Sequence, residues 1–424
     1  MVLPLSLALF STSSSPVAAS GGARLERERR YILRQFQRRG VRFVCAATSD
    51  GNGDVLELRG WQWGRTTKEL AAYGALLVAV PVVPLLPRFE WSAAIYFTSL
   101  SLWTVYVGSH RSLARQQTQQ VSFKQGLAAP VLCSISLFGF YCLLRFFPEL
   151  DLRTFISIYL SCAGAFAVAN NLTNPLKLLF PRLDSLPVRI NVPSWLASDK
   201  GKPVCLTVTA ADIIALLAGI GVAYASKQPG APFTFNNLMA VCIVTELLQL
   251  LSVGSFSTAA VMLCGLLFYD VFWVFGSSQI FGDNVMVTVA TSSAFDGPVK
   301  LVFPSWKAEV AHPESILGLG DIAAPGLLIA LMLRFDQARC AGFQNNTIPT
   351  APQKTYFSNS VIAYVAGLTL TVVANSVSGA AQPALLYLVP CLLSSAILTA
   401  LSKSEAPLLF SYKDERPPDD KAQL

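Results

Sequence analysis

Residues 258–277 read TAAVMLCGLLFYDVFWVFGS, with Asp270 as the single charged side chain. A run of about 20 apolar residues is the length an α-helix needs to cross a hydrocarbon core, so this stretch predicts a membrane-spanning helix. A carboxylate at that depth costs roughly 2.5–3.5 kcal/mol on insertion scales, and an ionisable group kept there marks a functional position. The next apolar run, 315–333, reads SILGLGDIAAPGLLIALML and holds a second carboxylate, Asp321, near its start.

Working outward, further apolar runs cover 69–87, 91–109, 127–147, 155–173, 207–226, 235–254, 359–378 and 382–402. Pro81, Pro84 and Pro87 interrupt the first, so the first two runs form either two spans or one span and a surface piece. The reading is an all-α polytopic membrane protein with nine or ten transmembrane helices. Composition agrees: 53% of the 424 residues are apolar and 13% charged, against about 25% charged in soluble domains, and the mean hydropathy is +0.50. The chain divides into an N-terminal extramembrane or targeting segment (1–68), a membrane-embedded domain (69–402) and a tail (403–424). Residues 1–20 read as either a signal sequence or a plastid transit peptide.

The net charge of +7 invites a nucleic-acid reading, but its placement argues against one. Basic residues gather between Arg24 and Lys68 and in short loops beside apolar runs, where the positive-inside rule puts them. On that rule Arg111–Lys124, Lys177–Lys202, Arg334–Lys354 and the tail after Lys403 are cytosolic, and 227–234, 278–314 and 379–381 are lumenal. The N-terminus is then lumenal with nine helices and cytosolic with ten, and its arginines favour the cytosol. The sequons at Asn171 and Asn345 fall on sides predicted to be cytosolic.

Two histidines and nine cysteines without a C-x-x-C pair supply no zinc ligand set and no H-E-x-x-H. No metal and no organic cofactor is expected. A histidine-based serine mechanism would need His110 or His312, which lie outside the apolar runs, and G-x-S-x-G is absent. Chemistry inside this membrane must come from carboxylates.

Asp270 lies about six residues before the end of its helix, and Asp321 about six residues into the next. At 1.5 Å per residue both sit roughly 8–10 Å below the same membrane face, so consecutive antiparallel helices bring them to one level. Two carboxylates in contact at low dielectric cannot both ionise and hold one proton between them. Such a pair suits aspartic proteolysis: one carboxylate takes a proton from water while its protonated partner polarises a peptide carbonyl. It equally suits a proton relay in a transporter or a structural role.

Tyr269-Asp270, Gly318-Leu319-Gly320-Asp321 and Gln382-Pro383-Ala384-Leu385 occur in this order, each in or beside an apolar run. They resemble the Y-D, G-x-G-D and P-A-L signatures of the signal peptide peptidase family, intramembrane aspartyl proteases related to presenilin. Tyr269–Gly276 (YDVFWVFG), Asn284–Ala290 (NVMVTVA), Lys300–Pro304 (KLVFP) and Ala381–Pro390 (AQPALLYLVP) extend the likeness over about 230–412, with a looser match back to about 127. Ser277–Asp283 departs from signal peptide peptidase proper, which runs directly from F-W-V-F-G into N-V-M-V, and is closer to the signal-peptide-peptidase-like branch.

The resemblance implies a presenilin-like fold in which Asp270 and Asp321 are the catalytic pair. Gly318 and Gly320 would let substrate backbone approach Asp321, with helix packing as their competing role. Gln382, Pro383, Ala384 and Leu385 would lie beside the active site and meet substrate. Tyr269 either hydrogen-bonds near the pair or packs against a neighbour. Glu246 and Gln249 read as structural glue, and Asn236 and Asn237 as the lumenal start of their helix. Implied partners are the bilayer and transmembrane-helix substrates, namely signal-peptide remnants and type II membrane proteins, without nucleic acid; a homo-oligomer is left open. The implied location is the endoplasmic reticulum membrane, with Golgi, vacuolar and plastid membranes left open. A non-proteolytic scaffold that binds membrane helices, or a proton-coupled transporter, is the alternative function.

The alternation of Val285, Val287 and Val289 predicts a strand. Such a strand beside the site would pair with the backbone of an unwound substrate by β-augmentation.

Overall fold

The computed structural model describes residues 67–82, 91–114, 119–146, 152–184, 188–191, 198–199, 202–203, 205–282, 285–291, 297–304, 314–342, 354–378 and 382–414. Each of the ten apolar runs contains one long helix. These are α1 (Thr67–Val82), α2 (Ser92–Ala114), α3 (Phe123–Phe146), α4 (Leu152–Leu179), α5 (Ala210–Ser226), α6 (Phe233–Leu250), α7 (Phe256–Val271), α9 (Gly320–Gly342), α10 (Thr355–Ser378) and α11 (Leu385–Ser402). Short helices α8 (Val285–Thr291) and α12 (Ala406–Ser411) complete the set. Six of the ten are long and apolar enough to cross a bilayer by length and composition: those in α3, α4, α6, α7 with its extension, α10 and α11. The first two apolar runs, ambiguous in sequence, form two separate helices.

Local chemistry sets several boundaries. Thr209 and Asp212 form a capping box at the start of α5, satisfying donors that a helix N-terminus leaves open. The Ser255 side chain accepts from the Thr258 N–H at 3.2 Å and starts α7. After Val271 that helix continues through a π-helical turn, Phe272–Gly276, and one more α-helical turn, Ser277–Phe281. Gly282 stops it with φ +80°, a left-handed conformation suited to glycine at a helix C-terminus.

The centre of the bundle is α9, which packs on α2, α6, α7, α10 and α11. Leu328 through Leu333 are buried on every side, so this helix meets protein rather than lipid all round. The outer faces of α3, α4 and α5 carry exposed apolar side chains such as Ile135, Phe155 and Leu217, as expected of surfaces solvated by hydrocarbon.

Short strands close the two ends. At the basic end, β1 (Gln119–Val121) pairs in parallel with β6 (Leu251–Val253). Ser255 bridges to Lys413, and Asp414 N donates to the Gly254 carbonyl at 2.8 Å. Arg334 pairs with Asp414 at 2.7 Å, and Arg339 with Glu405 at 3.0 Å. The described residues of 111–114, 119–124, 334–342 and 403–414 thus meet at one end. Between α4 and α5, β2 (Val188–Asn191) pairs antiparallel with β5 (Cys205–Val208), and β3 (Ser198–Asp199) with β4 (Lys202–Pro203). At the opposite end, β7 (Lys300–Pro304) and β8 (Glu314–Gly318) form an antiparallel hairpin that runs straight into α9.

One expectation needs correction. Residues 285–291 form helix α8, not a strand. Val285 and Val289 are buried against Tyr141 and Trp273, and a spacing of four puts both on one helical face. That packing overrides the strand preference of an alternating valine run. The strand at this end is β7, built from the Lys300–Pro304 segment.

A polar network, seen in the sequence only through Glu246, ties α1, α2, α4 and α6 together. Arg111 pairs with Glu246 at 3.2 Å, with both side chains buried. Asn171 accepts through Oδ1 from Arg111, from Tyr73 Oη at 2.8 Å and from Thr245 Oγ1 at 2.8 Å. Its Nδ2 donates to the carbonyls of Ala167 and Cys242 at 2.7 and 3.2 Å. Asn171 is 4% exposed, with every polar atom of its amide engaged, so the Asn171-Leu172-Thr173 sequon has no glycan acceptor in the folded chain. Thr173→Ala is expected to leave electrophoretic mobility and endoglycosidase sensitivity unchanged. A mobility shift abolished by that substitution would contradict this packing. The Asn345 sequon lies outside the described residues.

Candidate active site

Asp270 lies near the end of α7, one residue before the last of that helix, and is buried. Asp321 is the second residue of α9 and is partly exposed. The two helices pack against each other. Asp270 near the end of one and Asp321 at the start of the other are thus carried on packed elements.

A third element reaches Asp270. The N–H of Leu385, at the start of α11, donates to Asp270 Oδ2 at 3.2 Å. Pro383 and Ala384 form the turn that leads into α11, with Leu386 N donating to the Pro383 carbonyl at 3.2 Å and Leu388 N to the Ala384 carbonyl at 3.1 Å. A helix start has N–H groups without intrahelical acceptors, and here one of them is spent on a buried carboxylate. Gln382 is held by its own backbone N–H to Asn375 Oδ1 at 2.9 Å and by Nε2 to Ser378 Oγ at 3.0 Å.

Two glycines lie beside Asp321 in the chain, at positions 318 and 320. A Cβ on Gly318 would stand 3.5 Å from Asp321 Oδ2, and one on Gly320 would meet nothing within 4 Å. Gly320 therefore borders open space rather than a packed helix. Leu319 packs against the main core from a half-buried position, and Tyr364 Oη donates to the Asp321 carbonyl at 3.4 Å. Tyr269 packs beside the Tyr141, Trp273 and Val285 cluster.

The wall beside Asp270 is α3. A Cβ on Gly265 would come within 2.5 Å of Pro130 Cγ, so the missing side chain is what lets the ring of Pro130 seat against α7. The π-helical turn then carries Trp273 to hydrogen-bond Ser134 Oγ at 3.2 Å. A π turn inserts an extra residue and re-aims the side chains beyond it, and such turns are frequent at functional sites. Among the described residues no group of His, Cys, Asp or Glu could hold a metal ion.

A profile described as signal peptide peptidase matches residues 114–416. This chain belongs to the signal peptide peptidase family. The signal peptide peptidase of Homo sapiens is 33% identical over 338 residues, covering 76% of this chain and 84% of its own. A probable intramembrane protease of Schizosaccharomyces pombe is 29% identical over 327 residues, covering 76% and 94%. Signal peptide peptidase-like 1 of Oryza sativa is 28% identical over 375 residues, covering 78% and 95%. No solved structure shows a significant match. The three signatures of this signal peptide peptidase family member come from α7, α9 and the start of α11, and the fold brings them to one place.

Sequence reasoning missed two contributors to the site's surroundings. Tyr364 gives no signal in sequence, because a tyrosine in an apolar helix is ordinary. Asn237, read as marking a helix start, is fully buried and bonded to β7; a polar residue one turn inside an apolar run was the available clue.

Proposed function

We propose that this protein is an intramembrane-cleaving aspartic endopeptidase with Asp270 and Asp321 as its catalytic pair. The observation that carries this reading is the placing of two carboxylates on packed helices of an apolar bundle, one at the end of its helix and one at the start of the next. One carboxylate removes a proton from a water molecule, whose oxygen attacks the scissile carbonyl carbon. The other, protonated, hydrogen-bonds the carbonyl oxygen as it gains charge. Collapse of the tetrahedral intermediate breaks the C–N bond, and the proton gained by the first carboxylate goes to the leaving amine. The Leu385 N–H keeps the Asp270 carboxylate aimed while protons move. No metal or organic cofactor enters these steps.

A substrate helix hides its scissile bond in helical hydrogen bonds, and unwinding it creates donors and acceptors that need partners. The β8 edge, which has no second partner strand among the described residues, supplies them. Alternate residues of an antiparallel ladder turn their N–H and C=O groups away from the partner strand. Leu319 N bonds the Val299 carbonyl at 3.3 Å, whereas Val302 turns to Asn237. Val302 faces Ile316 and Lys300 faces Gly318 in the register, so Ile316 and Gly318 direct their backbone groups to the open side. This edge replaces the one expected at Val287, which is helical. Proline at an edge position removes an outward donor while sparing the ladder. Ile316→Pro is therefore expected to lower kcat/KM about tenfold in a liposome cleavage assay, and wild-type turnover by a folded Ile316→Pro variant would sink the idea.

The substrates proposed are signal-peptide remnants and type II membrane proteins, in the endoplasmic reticulum membrane, with the basic end and the C-terminal tail in the cytosol. The segments 1–68 and 403–424 are assigned as extramembrane flanks of the protease domain at 69–402. The transporter and scaffold alternatives gain no support from family membership. The direct test is cleavage of a signal-peptide substrate by purified protein in liposomes, with Asp270→Ala and Asp321→Ala alongside. Products cut within the apolar segment by wild type alone support the assignment, and cleavage by either folded variant removes that aspartate from it.

A further inference from the structure

The geometry points to Asn237, assisted by Asn236, as a positioning residue that sets which substrate peptide bond reaches the two carboxylates. This rests on the catalytic reading of Asp270 and Asp321 and goes beyond it. Asn237 is 0% exposed and sits in the first turns of α6. Its Nδ2 donates to the Val302 carbonyl at 2.7 Å, and its Oδ1 accepts from the Val302 N–H at 2.9 Å. A side-chain amide has the donor and acceptor of a peptide unit, so Asn237 occupies the place a third strand would take beside β7. Asn236 Nδ2 adds a bond to the carbonyl of Lys300 at 3.1 Å, two residues along the same edge.

Several contacts fix this clamp in turn. Tyr96 Oη accepts from Asn237 Nδ2 at 2.9 Å. Phe303 packs on Tyr96 and Phe233 with ring centroids 5.0 and 5.9 Å away. The β7 edge of the hairpin is thereby fastened to α2 and α6, and among the described residues the β8 edge is the open one. Because β8 runs through Gly318 and Leu319 into Asp321, the height of that edge relative to the carboxylate pair is set by where Val302 is held. A substrate strand laid on β8 takes its register from it. Moving the clamp moves the bond presented, and a misplacement of about 1 Å in a site can cost about 100-fold in rate.

The test compares purified wild type, Asn237→Ala, Asn237→Ser and Asp270→Ala in liposomes on one signal-peptide substrate. Product masses, kcat and KM are read per folded molecule, and thermal unfolding is followed in parallel. Expected for Asn237→Ala is a spread of cuts over neighbouring bonds with kcat lowered about 10- to 100-fold and KM changed much less. Asn237→Ser, which keeps one hydrogen-bonding group, is expected to fall between Ala and wild type. A lower unfolding temperature with wild-type cut positions and wild-type kcat overturns the positioning role and leaves Asn237 as packing. If only Asn237→Ser folds, it is judged by the same criteria; if neither folds, the residue is a folding requirement and the positioning role is rejected. Cleavage retained by Asp270→Ala would instead overturn the catalytic reading itself, an outcome separate from any behaviour of Asn237.

Discussion

Asp270→Asn and Asp321→Asn are each expected to lower the single-turnover cleavage rate by about 10⁴-fold or more, with the double variant no slower than either single one. Asparagine keeps the size and hydrogen-bonding capacity of the carboxyl but cannot exchange a proton with water or with the leaving amine. In Asp270→Asn the new amide oxygen can still accept from the Leu385 N–H, which lies 3.2 Å from Asp270 Oδ2, so the geometry of the site survives. Substrate capture is expected to stay within about threefold of wild type, because binding that is equal in ground and transition states is left untouched. The bundle loses a carboxylate it had to bury, so the unfolding temperature is expected to hold or rise, as is common when a strained site is relaxed. Rapid-mixing cleavage, crosslinking of an uncut substrate and thermal unfolding check these three parts. Additive losses in the double variant would mean that the two groups do not work as one unit.

Glu246→Ala is the second large effect, and it falls on stability. Glu246 is 8% exposed and its partner Arg111 3% exposed, and the two are 3.2 Å apart. Removing one member of a buried pair strands the other charge, at a cost of about 3–5 kcal/mol. Replacing both by apolar residues of similar volume, as in Arg111→Met with Glu246→Leu, is expected to recover most of that loss. The recovery is limited by Asn171 and Asn170, which also bond this pair. Unfolding in detergent of Arg111→Met, Glu246→Leu and the double forms the required cycle. A double variant that is less stable by the sum of its singles would show that the two side chains act independently.

Much of this was legible because a bilayer leaves few options. Uninterrupted apolar runs had to be helices, and two carboxylates in consecutive antiparallel runs had to be compared for depth. Asp270 and Asp321 do sit in helices, where rise per residue is fixed. Pattern reading failed at Val285–Ala290, since an alternating valine run packs as a strand or as one helical face, and only Tyr141 and Trp273 decide between them. The role of Asn237 was hidden for a related reason. Its partner is the backbone of Val302, which leaves no mark on the identity of either residue. Leu385 was quoted in sequence for its motif, yet its contribution to the pair is an N–H that any residue but proline would carry.

That last contact also orders events in time. Asp270 receives its backbone donor from the final membrane helix, and the staple at the basic end is closed by Lys413 and Asp414. During synthesis both carboxylates leave the ribosome and partition into lipid while the groups that complete their surroundings are still untranslated. A nascent chain with both aspartates in the bilayer still lacks the Leu385 N–H at Asp270. Whatever Asp270 does, its backbone partner arrives only when α11 has joined the bundle.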